Sequence, residues 1–200
     1  MCGRYVVVID KKTLDDILKE VQSHSVSEAV MMTVKMEGEI FPTDTVPIRT
    51  VDGYQIMRWG FRTDKRDVIN ARSETAMEKP MFRTNMIERR CLVVASGYYE
   101  WKHEPNGKKT KYEFSMPDKS LFYLAGCYRI ERGSSDCSFV ILTREATPEF
   151  SSIHDRMPVV FTSQQADSWL ETTDTGITEL MEQSTTELVA RAAAQSSQKR

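Results

Sequence analysis

Met1-Cys2-Gly3-Arg4-Tyr5-Val6-Val7-Val8-Ile9 opens the chain. Four β-branched aliphatic residues after a tyrosine suit a strand better than a helix, because branching at Cβ packs well on a pleated surface. The chain is therefore expected to enter its first strand at once, with no leader ahead of it. Behind it, Asp10 or Thr13 can cap a helix whose apolar residues Leu14, Ile17, Leu18 and Val21 share one face. Ser23 to Ser27 breaks that helix, and Ala29 to Met36 reads as core filler rich in methionine.

Strand signals dominate the rest of the chain. Phe41-Pro42-Thr43-Asp44 is a turn before Val46-Pro47-Ile48, whose proline predicts an edge strand. Val51-Asp52-Gly53-Tyr54 turns the chain into a strand from Tyr54 to Phe61, and Arg62 to Asp67 is a polar loop. Cys91 to Ala95, the stretch around Tyr98 to Trp101, Leu121 to Ile130, Cys137 to Thr143 and Val159 to Thr162 are all rich in β-formers. Glu104 to Lys108 reads as a hairpin turn. Pro148 to Ile153 reads as a short helix, and Ser163 caps another that ends near Leu170. Ser184-Thr185-Thr186-Glu187 looks like a capping box for a last helix through Ala194. The sum is an α+β fold: one strand-dominated domain over residues 1–195, a curved mixed sheet flanked by short helices, and a frayed tail at 196–200.

Composition sets the class. Two hundred residues bury a core without staples, and 40% hydrophobic with 28% charged residues is ordinary for a globular protein. No secretory leader or long apolar span is present, so a cytoplasmic protein is expected. Cys2, Cys91, Cys127 and Cys137 lack metal-type spacing, and no metal or cofactor is expected. The last three sit in apolar runs and read as reduced core residues; Cys2 alone is placed for reactivity. A net charge of −2 argues against a simple nucleic-acid binder, but the charge is unevenly spread. Arg58 to Arg90 carries nine Lys or Arg against five acids, whereas Glu145 to Glu187 carries nine acids against Arg156.

If Met1 is removed, Cys2 presents an α-amine and a thiol on adjacent carbons. With a pKa of about 8 against about 10.4 for lysine, roughly a tenth of such an amine is uncharged at neutral pH. It can form a Schiff base with an aldehyde, and the thiol can then close a five-membered thiazolidine. Acting on a ring-closed sugar also needs an acid, a proton shuttle and an orienting group. Glu100, flanked by Tyr98, Tyr99 and Trp101, is placed for a raised pKa; His154 can move protons at neutral pH; Asn70 can orient without titrating. The arrangement demands that Cys2 be reachable and lie within a side chain's reach of those three.

Met-Cys-Gly-Arg-Tyr, Arg58-Trp59-Gly60, Ile69-Asn70-Ala71-Arg72-Ser73-Glu74-Thr75, Arg89 to Ala95 with Gly97-Tyr98-Tyr99-Glu100-Trp101, and Ile153-His154-Asp155-Arg156-Met157-Pro158 together resemble the SOS-response-associated peptidase family. The resemblance runs in order over about residues 1–170. It implies a sensor of abasic sites in single-stranded DNA that crosslinks through Cys2 after losing Met1 by self-cleavage. It further implies that Asn70 positions the sugar and the amine, Glu100 shuttles protons and assists Met1 removal, and His154 acts as acid in ring opening. Arg4 and Arg72 match phosphate-holding positions, and Trp59 would stack or wedge beside a base. A monomer is expected. The chain departs from the family at Phe61 to Arg66, which is shorter and more charged, and at Glu39-Ile40-Phe41-Pro42. Two other readings stay open: an N-terminal-nucleophile cysteine amidohydrolase, and a non-catalytic single-strand binder in which Cys2 is incidental.

Overall fold

The computed structural model describes residues 2–23 and 28–193. In chain order the elements are β1 (Tyr5–Val7), α1 (Lys11–Ser23), α2 (Glu28–Met31), β2 (Gly38–Ile40), β3 (Thr45–Thr50), β4 (Gly53–Trp59) and β5 (Asn70–Arg72). Then come α3 (Ser73–Ala76), α4 (Arg83–Glu88), β6 (Arg90–Ala95), β7 (Gly97–His103), β8 (Lys109–Ser115), β9 (Phe122–Ile130) and β10 (Cys137–Glu145). The last are β11 (Arg156–Pro158), β12 (Val160–Phe161), α5 (Ser163–Glu171), α6 (Asp174–Glu182) and β13 (Val189–Ala192). No described helix is long and apolar enough to cross a membrane.

The strands form two sheets. One runs β13-β8-β7-β1-β2 and is antiparallel throughout. In the other, β10-β4-β3-β6-β9 closes on itself because β9 also pairs with β10, so the sheet curls into a barrel-like ring. Closure leaves those strands no free edge. It is an α+β fold with a curved mixed sheet.

Alternation along the barrel strands divides the core. Cys91, Val93, Phe139 and Ile141 point toward the five-stranded sheet and join Tyr5, Tyr98 and Phe114. Leu92, Val140 and Leu142 point the other way, onto Phe82, Ala166, Trp169 and Ile177 of the helical layer. Covered on both faces, β6 and β10 read in sequence as continuous apolar runs instead of alternating ones. Gly126 is required where β9 meets β10, since a Cβ there would come within 2.6 Å of the Val140 carbonyl oxygen. Arg90 staples the helical layer, donating to the carbonyls of Met86, Ile87, Trp169, Leu170 and Thr172.

Several expectations need correction. Pro47 lies in β3, which sits between β4 and β6 and is not an edge; β6 reaches it only at Arg49, so the proline disrupts no ladder. Residues 189–192 form β13 on the edge of the five-stranded sheet, where backbone pairing with β8 overrides the helix-cap pattern at Ser184. Positions 194–200, including the end of that expected helix and the tail, lie outside the described residues, as do 24–27 within the expected helix break. Pro148 to Ile153 forms turns, not a helix. Thr162, not Ser163, caps α5, through a capping box with Gln165. Val30 and Met32 are exposed, Met32 by 79%, so that segment does not fill the core. Cys137 is only half-buried. Asp10 does cap α1, its Oδ1 accepting from the Thr13 amide at 2.8 Å.

Candidate active site

Asn70 is placed by an unusual path of the chain. β4 runs parallel to β10 through Phe139, leaves it at Gly60, and returns as β5 to pair with the next stretch of the same strand, Ile141 to Thr143. Arg58 pins the base of the excursion, donating to the Gly60 carbonyl at 3.0 Å and to Asp67 at 2.6 Å. Gly60 holds φ +112°, a conformation that L side chains rarely adopt. The side-chain amide of Asn70 thereby donates to the Cys2 carbonyl at 2.8 Å. Its Oδ1 is buried and has no partner among the described residues.

Glu100 comes from the other sheet. β1 and β7 pair with Tyr5 opposite Tyr98, and the Tyr99 amide donates to the Arg4 carbonyl at 2.9 Å, so the same register carries Cys2 and Gly3 toward Glu100. Tyr98 and Glu100 share the inward face by strand alternation. Only 4% of the Glu100 side chain is exposed. Burial is the main reason its carboxyl is pushed up to about 7, with the charge of Asp155 adding to the shift.

His154 follows a tight turn in which its own amide donates to the Phe150 carbonyl at 3.2 Å. Its Nε2 lies 3.8 Å from Glu100 Oε2. Two groups compete for Nδ1: the Arg156 amide donates to it at 3.0 Å, and Asp155 Oδ1 stands 2.8 Å away. The first requires a neutral ring with the proton on Nε2, the second a proton on Nδ1, carried by the other neutral tautomer or by the imidazolium. Burial lowers the His154 pKa, which favours a neutral ring, and the Arg156 amide donating to Nδ1 favours the tautomer that aims Nε2–H at Glu100. Arg156 anchors this turn by a bidentate pair with Glu74 at 2.6 and 2.9 Å, and by donation to the Thr143 carbonyl at 2.5 Å. Hydrogen bonds from Arg156 hold the Glu74 carboxyl below its ordinary range. Sequence reasoning overlooked this pair, although Glu74 stands four residues after Asn70 and Arg156 two after His154.

The four expected residues therefore converge, but with two corrections. Cys2 is 0% exposed in a chain that carries Met1 ahead of it, and its Sγ lies 3.9 Å from the Arg4 carbonyl. Burial, reinforced by the charge of Glu100, pushes its thiol well up. The expectation that Cys2 is open to reaction fails for this form, because its strand end is packed between the two sheets. Trp59 is also 0% exposed. It stacks on Phe139 at 6.2 Å, packs against Tyr5 at 5.3 Å and donates to the Ile69 carbonyl at 2.9 Å, so it offers no face to a base.

The two expected phosphate ligands differ. Arg4 is clamped between the rings of Phe41 and Trp101 and already contacts Glu39 at 3.3 Å, so part of its charge is spent. Arg72 is exposed and lines a cleft of about 690 Å³ that also includes Arg66, Lys79, Met81 and Asn70. No metal-binding cluster occurs among the described residues.

Residues 1–197 match the family model described as SOS response associated peptidase (SRAP). The chain is 28% identical over 195 residues to abasic site processing protein YoqW of Bacillus subtilis, covering 88% of this chain and 82% of that one. It is 34% identical over 116 residues to abasic site processing protein YedK of Escherichia coli, spanning 56% of this chain and 52% of that protein. A solved structure of a protein from Bacteroides thetaiotaomicron superposes with a TM-score of 0.77 at 22% identity, covering 97% and 93% of the two chains. Its likeness shows the fold. The match to the family model over nearly the whole length, in a chain whose N-terminal residues, β5, β7 and the His154 turn meet in one place, means that this protein belongs to the SOS response associated peptidase family.

Proposed function

We propose that the protein processes abasic sites in single-stranded DNA by capturing the ring-opened sugar on Cys2. The observation that carries this reading is the 2.8 Å hydrogen bond from Asn70 to the Cys2 carbonyl, made beside the His154–Glu100 pair. The names of the relatives point the same way.

In the chain that begins at Met1, the Cys2 nitrogen is an amide and cannot attack a carbonyl. Hydrolysis of the Met1–Cys2 bond comes first. Glu100, poised near neutrality, accepts a proton from the attacking water and returns it to the leaving amine. The freed amine then adds to the sugar aldehyde, water leaves to give an imine, and the thiol adds across the carbon–nitrogen double bond. A carbon–sulfur bond forms, the nitrogen gains a proton, and the thiazolidine closes. His154, protonated from solvent, delivers that proton from Nε2 to the ring oxygen as the sugar opens and is left neutral, the anomeric hydroxyl loses its own proton to water as the aldehyde forms, and Asn70 orients Cys2 throughout. In this order the amine attacks first and the thiol only closes the ring, so no resident thiolate is required, unlike an amidohydrolase. Burial of Cys2 adds a requirement: its strand end must open once Met1 is gone.

The test is a denaturing gel with single-stranded DNA carrying one abasic site. A heat-stable shifted band is expected for the mature protein and absent in Cys2→Ala and in any chain with residues left ahead of Cys2. A crosslink of equal yield through a blocked N-terminus would falsify the mechanism.

A further inference from the structure

The cleft beside Asn70 is larger than a sugar needs and is built from two kinds of surface. Its volume of about 690 Å³ falls in the range that encloses ligands several times larger than water. One wall is apolar: Val68, Ile69, Pro80 and Met81, backed by the buried Phe82. Met81 is 41% exposed, a flexible thioether facing outward with no role in the core. Around this wall stand Arg66, Arg72 and Lys79, all exposed, and no ion pair among the described residues engages any of the three. Among the described residues the one carboxylate lining the cleft, Asp67, is spent on Arg58 at 2.6 Å. An apolar surface ringed by three uncompensated cations fits a group with a flat, weakly polar body joined to phosphates.

We propose that this cleft seats the base of the nucleotide next to the lesion, laid on Met81 and Pro80, with its flanking phosphates on Lys79, Arg66 and Arg72. The inference rests on the abasic-site reading and extends it. The lesion's own sugar has no base to stack, so affinity for it must come from neighbours, and base stacking is tolerant of sequence. Trp59 is unavailable for that role, being sealed in the core. The Met81 wall supplies the stacking surface, and the short charged loop Phe61 to Arg66 supplies the cation at its rim.

The experiment measures non-covalent binding, by fluorescence anisotropy, to single strands carrying a tetrahydrofuran in place of the lesion; this analogue has no aldehyde and cannot crosslink. Placing the single tetrahydrofuran at the 5′ or the 3′ end of the strand, capped by a phosphate, removes one neighbouring base without offering a second lesion. Wild-type protein should lose about 5-fold in affinity when the base is removed on one side, and Met81→Ala should lose less than about 2-fold, the two changes being non-additive. Lys79→Gln should lower the steepness of the salt dependence by about one unit whether or not the base is present. A thermal melt matching wild type confirms that Met81→Ala folds. Equal losses in wild type and Met81→Ala, or indifference to the neighbouring base on both sides, would overturn the proposal. Crosslinking of natural abasic strands is scored separately: if it fails while the Met81 coupling holds, the cleft stands and the covalent mechanism falls; if it succeeds while the cycle is additive, the cleft alone is wrong.

Discussion

Glu100→Gln is the most informative single change, because it separates the electrostatics of the site from its packing. The Glu100 carboxyl titrates at about 7 in the folded chain against an ordinary 4.5. Below about pH 4.5 it is protonated in both folded and unfolded states and contributes nothing to pH dependence. As pH rises from 4.5 toward 7 the unfolded chain loses this proton while the folded chain keeps it, so stability falls. Above 7 the penalty levels off. A shift of roughly 2.5 units at about 1.4 kcal/mol each comes to about 3 kcal/mol. Because the side chain is almost fully enclosed, solvent screening reduces this little. His154 works in the opposite sense over an overlapping range, since its lowered pKa makes the folded state bind a proton more weakly than the unfolded one. The wild-type curve alone therefore mixes the two, and the difference between variant and wild type reports Glu100 together with its interaction with His154 3.8 Å away. Urea unfolding of both proteins between about pH 4 and pH 8.5 should show Glu100→Gln gaining about 3 kcal/mol relative to wild type across that span. A difference that stays flat with pH would refute the raised pKa, and with it the proton-shuttle role. The same variant, freed of Met1 beforehand, should slow crosslinking most where wild-type Glu100 is half-ionised, near neutrality.

Other expectations come from individual contacts. Trp59→Phe leaves the Ile69 carbonyl without its indole donor and should cost about 1–3 kcal/mol of stability, with affinity for intact single-stranded DNA unchanged; a selective loss of DNA affinity would restore Trp59 as a stacking residue. Glu74→Gln weakens the pair that holds the Arg156 side of the His154 turn. Because the Glu74 pKa is depressed, its stabilisation is present above the ordinary carboxylate range and lost on acidification, so wild type and Glu74→Gln should converge in melting temperature as pH falls below about 4. In a Cys137→Ser background, which removes the half-exposed thiol, Cys2 should resist thiol reagents while Met1 is attached and react at least about tenfold faster once Met1 is lost; equal rates would mean that its strand end does not open. Gly126→Ala should destabilise by about 1–3 kcal/mol through its collision with the Val140 carbonyl, measurable as a lower urea midpoint.

The local pattern of the chain carried much of the fold. The β-branched run at Val6, the hairpin turns at Gly53 and Gly107, and the capped helix at Asp10 all depend on near neighbours, and each lies where its residues indicated. Errors arose where a distant partner decided. Val189–Ala192 became a strand because the edge of β8 was there to pair with, and Pro47 could sit inside the sheet because β6 touches β3 at one position only.

For the site, sequence by itself determined the chemical inventory: a cysteine next to Met1, an asparagine, a glutamate among aromatics and a histidine in a turn. Tertiary structure alone decided what each can do. Sheet register brings the start of the chain toward Glu100 and sets that carboxyl near neutrality, the detour from β4 to β5 lays Asn70 on the Cys2 carbonyl, and packing between the sheets closes over Cys2 and Trp59. The physical reason is range. Propensity and turn chemistry act over a few residues, whereas desolvation and reach depend on atoms brought together from 68 positions apart, in the case of Asn70 and Cys2.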